Sequence, residues 1–178
     1  MSEHNMNIWL STDTHFGHDK MIELCGRPPF FSELILQGFR KHLKSGDTLI
    51  HLGDICLGND TAWHLDLEGY IPEGVKRVLV TGNHDHKSDN WYLTHGWDFV
   101  CSAFANTYFG RRILFSHRPI DIPLGVKIGD INIHGHMHNN DHRADEAALY
   151  YNPKYHKRLA IEETDYLPVR LDRFIQTL

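Results

Sequence analysis

Cysteine is scarce in this chain, and its three cysteines, Cys25, Cys56 and Cys101, lie far apart and form no CxxC pair. An odd number of widely spaced cysteines provides no disulfide framework, so we expect reduced and mostly buried thiols. No apolar stretch approaches the roughly 20 residues of a membrane-spanning helix. The N-terminus also lacks the basic and apolar segments of a secretion signal. Together these absences predict a cytoplasmic protein that does not cross a membrane.

Basic residues are not in excess either, because 18 lysines and arginines face 23 aspartates and glutamates, for a formal net charge of −5. This balance argues against a long nucleic-acid-binding face. The one dense basic stretch, residues 154–158, is short and is expected to be a solvated turn. Repeats, low-complexity tracts, linkers and coiled-coil heptads are also missing. The 178 residues are therefore expected to form a single domain, 1–178, of undetermined oligomeric state.

Histidine, in contrast, is abundant, with 15 residues, and several histidines follow short apolar runs. Each run holds four to six residues of Ile, Leu, Val, Trp or Phe, which is too short for a typical helix and rich in strand-forming residues. Each run also ends in an aspartate, asparagine or histidine. The five segments are residues 7–15, 47–54, 76–85, 111–117 and 130–138.

Helix-like segments separate the early runs. The first is expected to begin with Ser32 as its N-cap and to stop at Gly46. Residues 60–70 and 85–96 are typical of two further helices. Strands that alternate with helices predict an α/β core, in which ligands bind beyond the carboxyl ends of the strands.

The chain becomes richer in strand-forming residues after residue 97. Residues 97–117 indicate strands joined by a tight hairpin at the sequence FGRR. The C-terminal 21 residues indicate a strand, a break at Pro168 and a short amphipathic helix.

The residues that end the five runs form a set of metal ligands. They offer carboxylate or amide oxygen and imidazole nitrogen without thiolate, which suits Mn, Fe, Zn, Ni or Co. They outnumber the ligands of one catalytic ion and fit two ions that share a carboxylate, an arrangement that clamps a phosphate and generates a hydroxide. The set is Asp13, His15, Asp54, Asn83, His117, His136 and His138.

The spacing of the ligands supports this interpretation. In an extended segment Asp13 and His15 point to the same side, as do His136 and His138. Glycines beside the ligands are expected where the backbone turns sharply or approaches an ion closely: Gly53, Gly82 and Gly135.

The ordered blocks DTH, GD, GNHD, a lone H and GHMH resemble those of the calcineurin-like metallophosphoesterases. The resemblance extends from Asp13 to His138, which is most of the chain. It implies a four-layer α/β/β/α sandwich of two mixed sheets flanked by helices, with a dinuclear metal site at its edge. Two divalent transition-metal ions are implied, with Mn preferred over Fe, Ni, Zn or Co.

The resemblance also assigns the ligands and the catalytic groups. One ion is expected to take Asp13, His15, Asp54 and His138, and the other Asp54, Asn83, His117 and His136. His84 resembles the family's acid for the leaving oxygen, and Asp85 is expected to orient it.

The first block extends as DTHFGH and is followed by CGRPPF, which looks like a small bacterial and phage branch of the family without assigned substrates. His18, Arg27 and Arg118 are candidate phosphate contacts, and a purely structural role carries equal weight for each.

The histidines outside the ligand set are expected to pack near the site or to lie at the surface. His51 is expected to pack beside the ligands, and His134 is expected to support them or to cap its strand. The role of residues 139–160 is left open. The remaining histidines are expected at the surface: His42, His64, His95 and His156.

Several other families are less consistent with the chain. Residues 136–142 nearly match the HxHxDH motif of metallo-β-lactamase-type hydrolases, but one extra residue breaks the match. HD-type phosphohydrolases are helical, whereas NHDH here follows a strand. The segment GDICLGN lacks the arginine of the GDxVDRG block found in protein Ser/Thr phosphatases.

The segment between His84 and His117 leaves little room for an inserted cap domain, which favours an open site. The sequence therefore predicts a dinuclear-metal phosphodiesterase in which a metal-bridging hydroxide attacks a small or accessible phosphodiester of nucleotide type. Two alternatives stay open: a phosphomonoesterase, and a catalytically silent metal-binding scaffold like the retromer subunit that resembles this family.

Overall fold

The first sheet is built from the early strand–helix alternation. The computed structural model describes residues 7–121, 130–140, 145 and 149–177. Four parallel strands lie in the order β4-β3-β2-β1, and the late strand β9 pairs antiparallel with β1 at one edge. Their bounds are β1 Ile8–Ser11, β2 Thr48–His51, β3 Lys76–Val80, β4 Phe99–Cys101 and β9 Val169–Arg170.

The second sheet has the order β5-β6-β7-β8, and the expected hairpin joins its first two strands. Phe109 and Gly110 form the turn with φ angles of 53° and 75°, the positive values that a two-residue hairpin requires. The basic stretch expected as a turn instead contributes β8. The strands are β5 Ala103–Tyr108, β6 Arg111–Ser116, β7 Ile131–His134 and β8 His156–Arg158.

Within the described residues, five α-helices accompany the sheets: α1 Lys20–Cys25, α2 Phe31–His42, α3 Asp60–Tyr70, α4 Asp89–Leu93 and α5 Leu171–Phe174. The prediction of α3 is confirmed at both ends. The N-cap prediction for α2 is wrong, because Ser32 lies inside the helix and Phe30 precedes its first turn. The helix α4 is shorter than expected, since it begins only after Ser88, whose hydroxyl caps the Trp91 N–H.

The first sheet separates two hydrophobic cores, because alternate residues of a strand face opposite sides. On one side Leu49 and Leu79 pack with α1–α4. On the other side Ile50 and Val80 pack against the second sheet. The fold is thus an α/β sandwich of two mixed sheets, and the predicted fold class is confirmed.

The outer face of the second sheet is covered by irregular segments among the described residues. Asn132, fully buried on β7, accepts a hydrogen bond from the Ile120 N–H at 2.9 Å. The buried ring of His134 lies edge-on to Tyr151, with 5.7 Å between ring centroids. These contacts anchor the strand that leads into the GHMH block.

None of the helices in the described ranges is long and apolar enough to cross a membrane. All three cysteines are free, and Cys25 and Cys56 are buried, as expected from their spacing.

Two histidines expected at the surface are buried instead. His64 packs edge-on to Trp91, and its Nδ1–H donates to the Asp60 carbonyl at 2.9 Å. The Nε2 of His156 bonds the Ile120 carbonyl at 2.8 Å. The surface prediction for both is wrong, because their helix or strand turns these rings inward. His42 and His95 are half-buried.

His51, at the end of β2, is buried as a neutral ring. Its Nδ1 accepts from the Gly53 N–H at 3.2 Å, so its Nε2 carries the proton and donates to Thr14 Oγ1, also at 3.2 Å. Burial lowers its pKa to about 3. Protonation would remove the Nδ1 lone pair and leave a charge in the core.

This burial predicts an acid sensitivity that depends on His51. Stability from a lowered histidine pKa is present above the unfolded value of about 6.5 and is lost as the pH falls below it. Between pH 6.5 and pH 5, the unfolding free energy of the chelator-treated wild type should fall by about 1 kcal/mol per pH unit more than that of His51→Gln. Denaturant titrations check this, with the exposed His86→Gln as control. Equal slopes for wild type and His51→Gln would contradict it.

Candidate metal centre

The predicted ligands follow five strands of the two sheets directly. Residues after β1, β2 and β3 come from the first sheet, and residues after β6 and β7 from the second. Their donor atoms converge in two groups, and within each group the atoms lie within 4.8 Å of one another. One group contains Asp13, His15 and His138, and the other contains Asp54, His117 and His136.

The ligands do not lie in extended backbone, so that part of the spacing prediction is wrong. Asp13 and His15 have φ angles of 48° and 46°, and His136 and His138 have 66° and 47°. These are left-handed conformations, which cost roughly 1–3 kcal/mol each for residues with a side chain. The strands have already ended, and strained turns bring the alternate side chains together.

The donor atoms of the first group lie within 4 Å of Asp13 Oδ1. Asp13 Oδ1 lies 3.8 Å from the Nε2 atoms of His15 and His138. The His15 Nε2 lies 3.6 Å from Asp54 Oδ2. These are the four residues that the resemblance assigned to one ion.

The second donor group shares the same oxygen of Asp54. The Nε2 of His117 lies 3.3 Å from Asp54 Oδ2 and 3.1 Å from Asn83 Oδ1. It also lies 3.1 Å from the Nδ1 of His136. The structure thus brings all seven predicted ligands together, with Asp54 between the two groups.

The residues present fit two metal ions. Ligands bound at about 2.0–2.2 Å to one ion lie about 3–3.5 Å from each other at tetrahedral or octahedral angles. The donor separations above are close to this range. Asp13 Oδ1 and His15 Nε2 are buried without a hydrogen-bond partner, whereas buried polar atoms are normally paired. An ion would provide the missing partner.

Both carboxylates are fixed so that a single oxygen faces the donor groups. Asp13 Oδ2 accepts from the Thr12 hydroxyl at 2.5 Å and from the His136 N–H at 2.9 Å. Asp54 Oδ1 accepts from the His84 N–H at 2.8 Å. The opposite oxygen of each carboxylate, Oδ1 of Asp13 and Oδ2 of Asp54, is therefore oriented towards the imidazoles.

The buried titratable groups of the site shift one another's pKa in different directions. Burial opposes charge on Asp54 and His117, but their mutual hydrogen bond and attraction outweigh it, lowering the pKa of Asp54 and raising that of His117. Burial lowers the pKa of His15 well below its usual value, against the attraction of Asp54. His15 is therefore a neutral imidazole with a free lone pair, the form that binds metal.

The expected role of Asp85 is wrong. Its carboxylate accepts from three backbone N–H groups, those of Asp54 and Gly82 through Oδ2 at 2.8 and 2.7 Å, and that of Ile55 through Oδ1 at 3.0 Å. All of its hydrogen bonds within the described residues go to the backbone, and none goes to the His84 ring. Asp85 holds the loops after β2 and β3 together.

His84 itself lies beside the first donor group. Its ring centroid is 5.3 Å from that of His15, and its side chain is half-buried. His18 lies on the same side, with its ring 6.1 Å from the His84 ring. Arg118 is exposed beside the second group, with Nη2 3.4 Å from Asn83 Oδ1. These three side chains border the centre.

Arg27 does not contact this border, so of the two roles considered for it the structure supports the structural one. Its guanidinium is fully buried and donates to the carbonyls of Asp13 at 2.7 Å and Thr14 at 3.0 Å. It also forms an ion pair with Glu162 at 2.6 Å. Arg27 supports the loop that carries the first ligands.

Glu162 is the residue that sequence reasoning missed. It lies in a 3₁₀ turn, Ile161–Thr164, and its Oε1 is 3.1 Å from the Nδ1 of His138. Glu162 and Glu163 lie in a C-terminal segment that has no recognisable motif, and only the fold brings Glu162 to the site.

Two proteins without assigned activities are similar to most of this chain. No family model matches the chain. The chain is 26% identical to the uncharacterized protein MJ1445 of Methanocaldococcus jannaschii, covering 96% of this chain and 90% of that protein. The crystal structure of AQ665, a protein of unknown function from Aquifex aeolicus, matches with a TM-score of 0.75 at 25% identity, covering 98% and 100% of the two chains. A Vps29 variant from Entamoeba histolytica has a TM-score of 0.43 at 16% identity, covering 75% and 66%.

Gly135 permits the two sheets to meet at the centre. A Cβ atom there would lie 2.0 Å from Thr12 Oγ1 and 2.4 Å from Asp13 Oδ2. Gly82 is similarly confined, since its Cβ would lie 2.3 Å from Asp54 Oδ1. Gly53 is confined as well, since its Cβ would lie 2.5 Å from the Gly82 N, and it has a left-handed φ of 93°. All three glycines thus allow close approach of protein atoms, and their approach to an ion stays a prediction.

We therefore expect Gly135→Ala to destabilise the protein by about 1–3 kcal/mol, the usual effect of overpacking, and to weaken metal binding. Gly69→Ala in α3 is the matched control, because nothing lies within 4 Å of its Cβ position. That control should be neutral or slightly stabilising. Denaturant unfolding and Mn²⁺ titration measure both effects. Wild-type values for Gly135→Ala would contradict the close packing.

Proposed function

We propose that this protein is a phosphoesterase of the calcineurin-like metallophosphoesterase type that uses two divalent metal ions. The observation that carries the proposal is the pair of donor groups that share Asp54 Oδ2. Such a pair is the arrangement required by two-metal phosphate chemistry. The motif order along the chain supports the same conclusion.

The donor atoms also limit which metals the site can bind. The seven ligands provide oxygen and imidazole nitrogen, which admits Mn, Fe, Ni, Zn or Co without choosing among them, and we propose Mn²⁺ from the family resemblance. Two ions held here would supply Lewis-acid charge that neutralises a phosphate and activates water for attack on phosphorus. Every other step depends on the side chains around the centre.

The side chains at the border would bind and orient the substrate. Arg118 offers a planar set of donors to the non-bridging oxygens of a phosphate. His18 and His84 flank the first donor group and would contact the phosphate from the other side. His84, which is half-buried, would donate a proton to the leaving oxygen.

The segment between His84 and His117 supports a preference for accessible diesters. It forms α4, β4, β5 and β6, which belong to the two sheets and their flank. None of these elements forms an inserted cap. A small phosphodiester or a nucleotide-type end is therefore the proposed substrate class.

We also propose a reducing cytoplasmic location, since Cys25 and Cys56 are buried free thiols.

The decisive experiment is hydrolysis of bis(p-nitrophenyl) phosphate by chelator-treated protein before and after Mn²⁺ is restored. We expect activity only with metal, and a higher kcat/KM for the diester than for p-nitrophenyl phosphate. Asp54→Asn should be inactive, since it removes the shared carboxylate. A preference for the monoester would make the protein a monoesterase. Two bound ions without activity for Mn, Fe, Ni, Zn or Co would favour the scaffold.

Substitution of His84 separates catalysis from metal binding. His84→Ala should keep both ions and lower kcat by about 10²–10⁴-fold, the usual effect of removing a positioned acid. His86→Ala is the control, because His86 is an exposed neighbour on the same loop. Steady-state kinetics and metal analysis test this. Loss of bound metal in His84→Ala would show that His84 is a ligand instead.

A further inference from the structure

A buried carboxylate lies directly behind one of the metal ligands. The side chain of Glu162 is 2% exposed, and its Oε1 lies 3.1 Å from the Nδ1 of His138. The Nε2 of the same ring faces Asp13 on the opposite side, at 3.8 Å. The two nitrogens of His138 thus have separate partners, one in the metal centre and one behind it.

Glu162 is itself held by Arg27. The Nε and Nη2 atoms of Arg27 donate to Glu162 Oε1 at 2.9 and 2.6 Å. The same guanidinium donates to the carbonyls of Asp13 and Thr14. One buried arginine therefore connects the carboxylate behind His138 with the loop that carries Asp13, and it ties the CGRPPF block to the centre.

The group around Glu162 admits two interpretations. Cys25, His138 and Glu162 lie close enough to hold an ion of their own. However, the guanidinium of Arg27 already neutralises the carboxylate, and a second cation beside it would be repelled. The Nδ1 of His138 also lies at hydrogen-bond distance from Oε1. The group is therefore better explained as support for a ligand.

We infer that Glu162, held by Arg27, is a positioning residue for the metal ligand His138. A carboxylate that accepts the Nδ1–H of a histidine fixes its tautomer and its orientation and increases the basicity of Nε2. The Nε2 lone pair is then directed at the ion expected between Asp13, His15 and Asp54. This inference rests on the metal site of the proposed function.

The corresponding histidine of the second group has a different support. The Nδ1 of His117 lies 2.7 Å from the carbonyl oxygen of Leu52, a neutral acceptor. One ion is thus supported through a charged carboxylate and the other through a backbone carbonyl. Removing the charge of Glu162 should therefore weaken one ion and leave the other nearly unchanged.

The test compares Glu162→Gln with Glu163→Gln, a matched control at the adjacent, half-exposed glutamate that pairs with Arg158. Mn²⁺ is titrated into chelator-treated protein against a competing chelator. Loss of a carboxylate behind a ligand lowers metal affinity by about 10–100-fold, so we expect that loss at one of two sites in Glu162→Gln. Electron paramagnetic resonance at two equivalents of Mn²⁺ should show a coupled pair in wild type and Glu163→Gln, and a mononuclear signal in Glu162→Gln.

Two further measurements make the result decisive. Circular dichroism of the metal-free proteins establishes whether Glu162→Gln is folded. In wild-type protein loaded with Zn²⁺, long-range ¹H–¹⁵N NMR should show His138 protonated at Nδ1 and metal-bound at Nε2, whether or not the variant folds. A ring bound through Nδ1 overturns the inference.

The outcomes also separate this inference from the proposed function. Two ions bound with equal affinity in Glu162→Gln and Glu163→Gln would overturn the positioning role, even if the wild type hydrolyses diesters. A selective loss of one ion would support it, even if no diester is hydrolysed. A wild-type protein that binds no metal would reject both.

Discussion

The carboxylate of Asp54 is the group on which the rest of the site depends. Its Oδ2 belongs to both donor groups, at 3.6 Å from His15 Nε2 and 3.3 Å from His117 Nε2. Its Oδ1 and its backbone N–H are held by the loop after β3, through the His84 N–H and the Asp85 carboxylate. Its carbonyl accepts the His15 N–H at 3.0 Å, from the loop after β1. Asp54 thus connects the loops that follow the parallel strands β1, β2 and β3.

The other requirement is the contact between the two sheets. The first sheet supplies Asp13, His15, Asp54 and Asn83, and the second supplies the remaining three ligands. They meet only because the apolar inner faces, with Ile50 and Val80 on one side and Phe115 and Ile133 on the other, are buried against each other. Burial of such side chains contributes roughly 1.5–3 kcal/mol each. Gly135 allows the loop after β7 to approach Thr12 and Asp13, which any larger residue would prevent.

Much of this arrangement was predictable because short local sequence patterns specify it. A short apolar run followed by a donor residue identifies a strand end, and parallel strands deliver their carboxyl ends to one edge. Three errors or omissions at the site concern contacts that no local pattern specifies. The burial of Arg27, the backbone contacts of Asp85 and the approach of Glu162 to His138 all depend on residues far away along the chain. The left-handed turns at the ligands were missed because the two-residue spacing also fits an extended strand.

The left-handed turns at the ligands connect metal binding with the stability of the fold. Five of the seven predicted ligands adopt left-handed backbone: Asp13, His15, Asp54, His136 and His138. Asp13 Oδ1 and His15 Nε2 are also removed from water without a partner. Each of these features opposes folding by about 1–3 kcal/mol, so the metal-free centre is held in place by the surrounding cores and by the Arg27–Glu162 pair. An ion that binds only the folded arrangement adds its binding free energy to folding. An ion bound to these donors would thus offset part of the strain and desolvation of the centre.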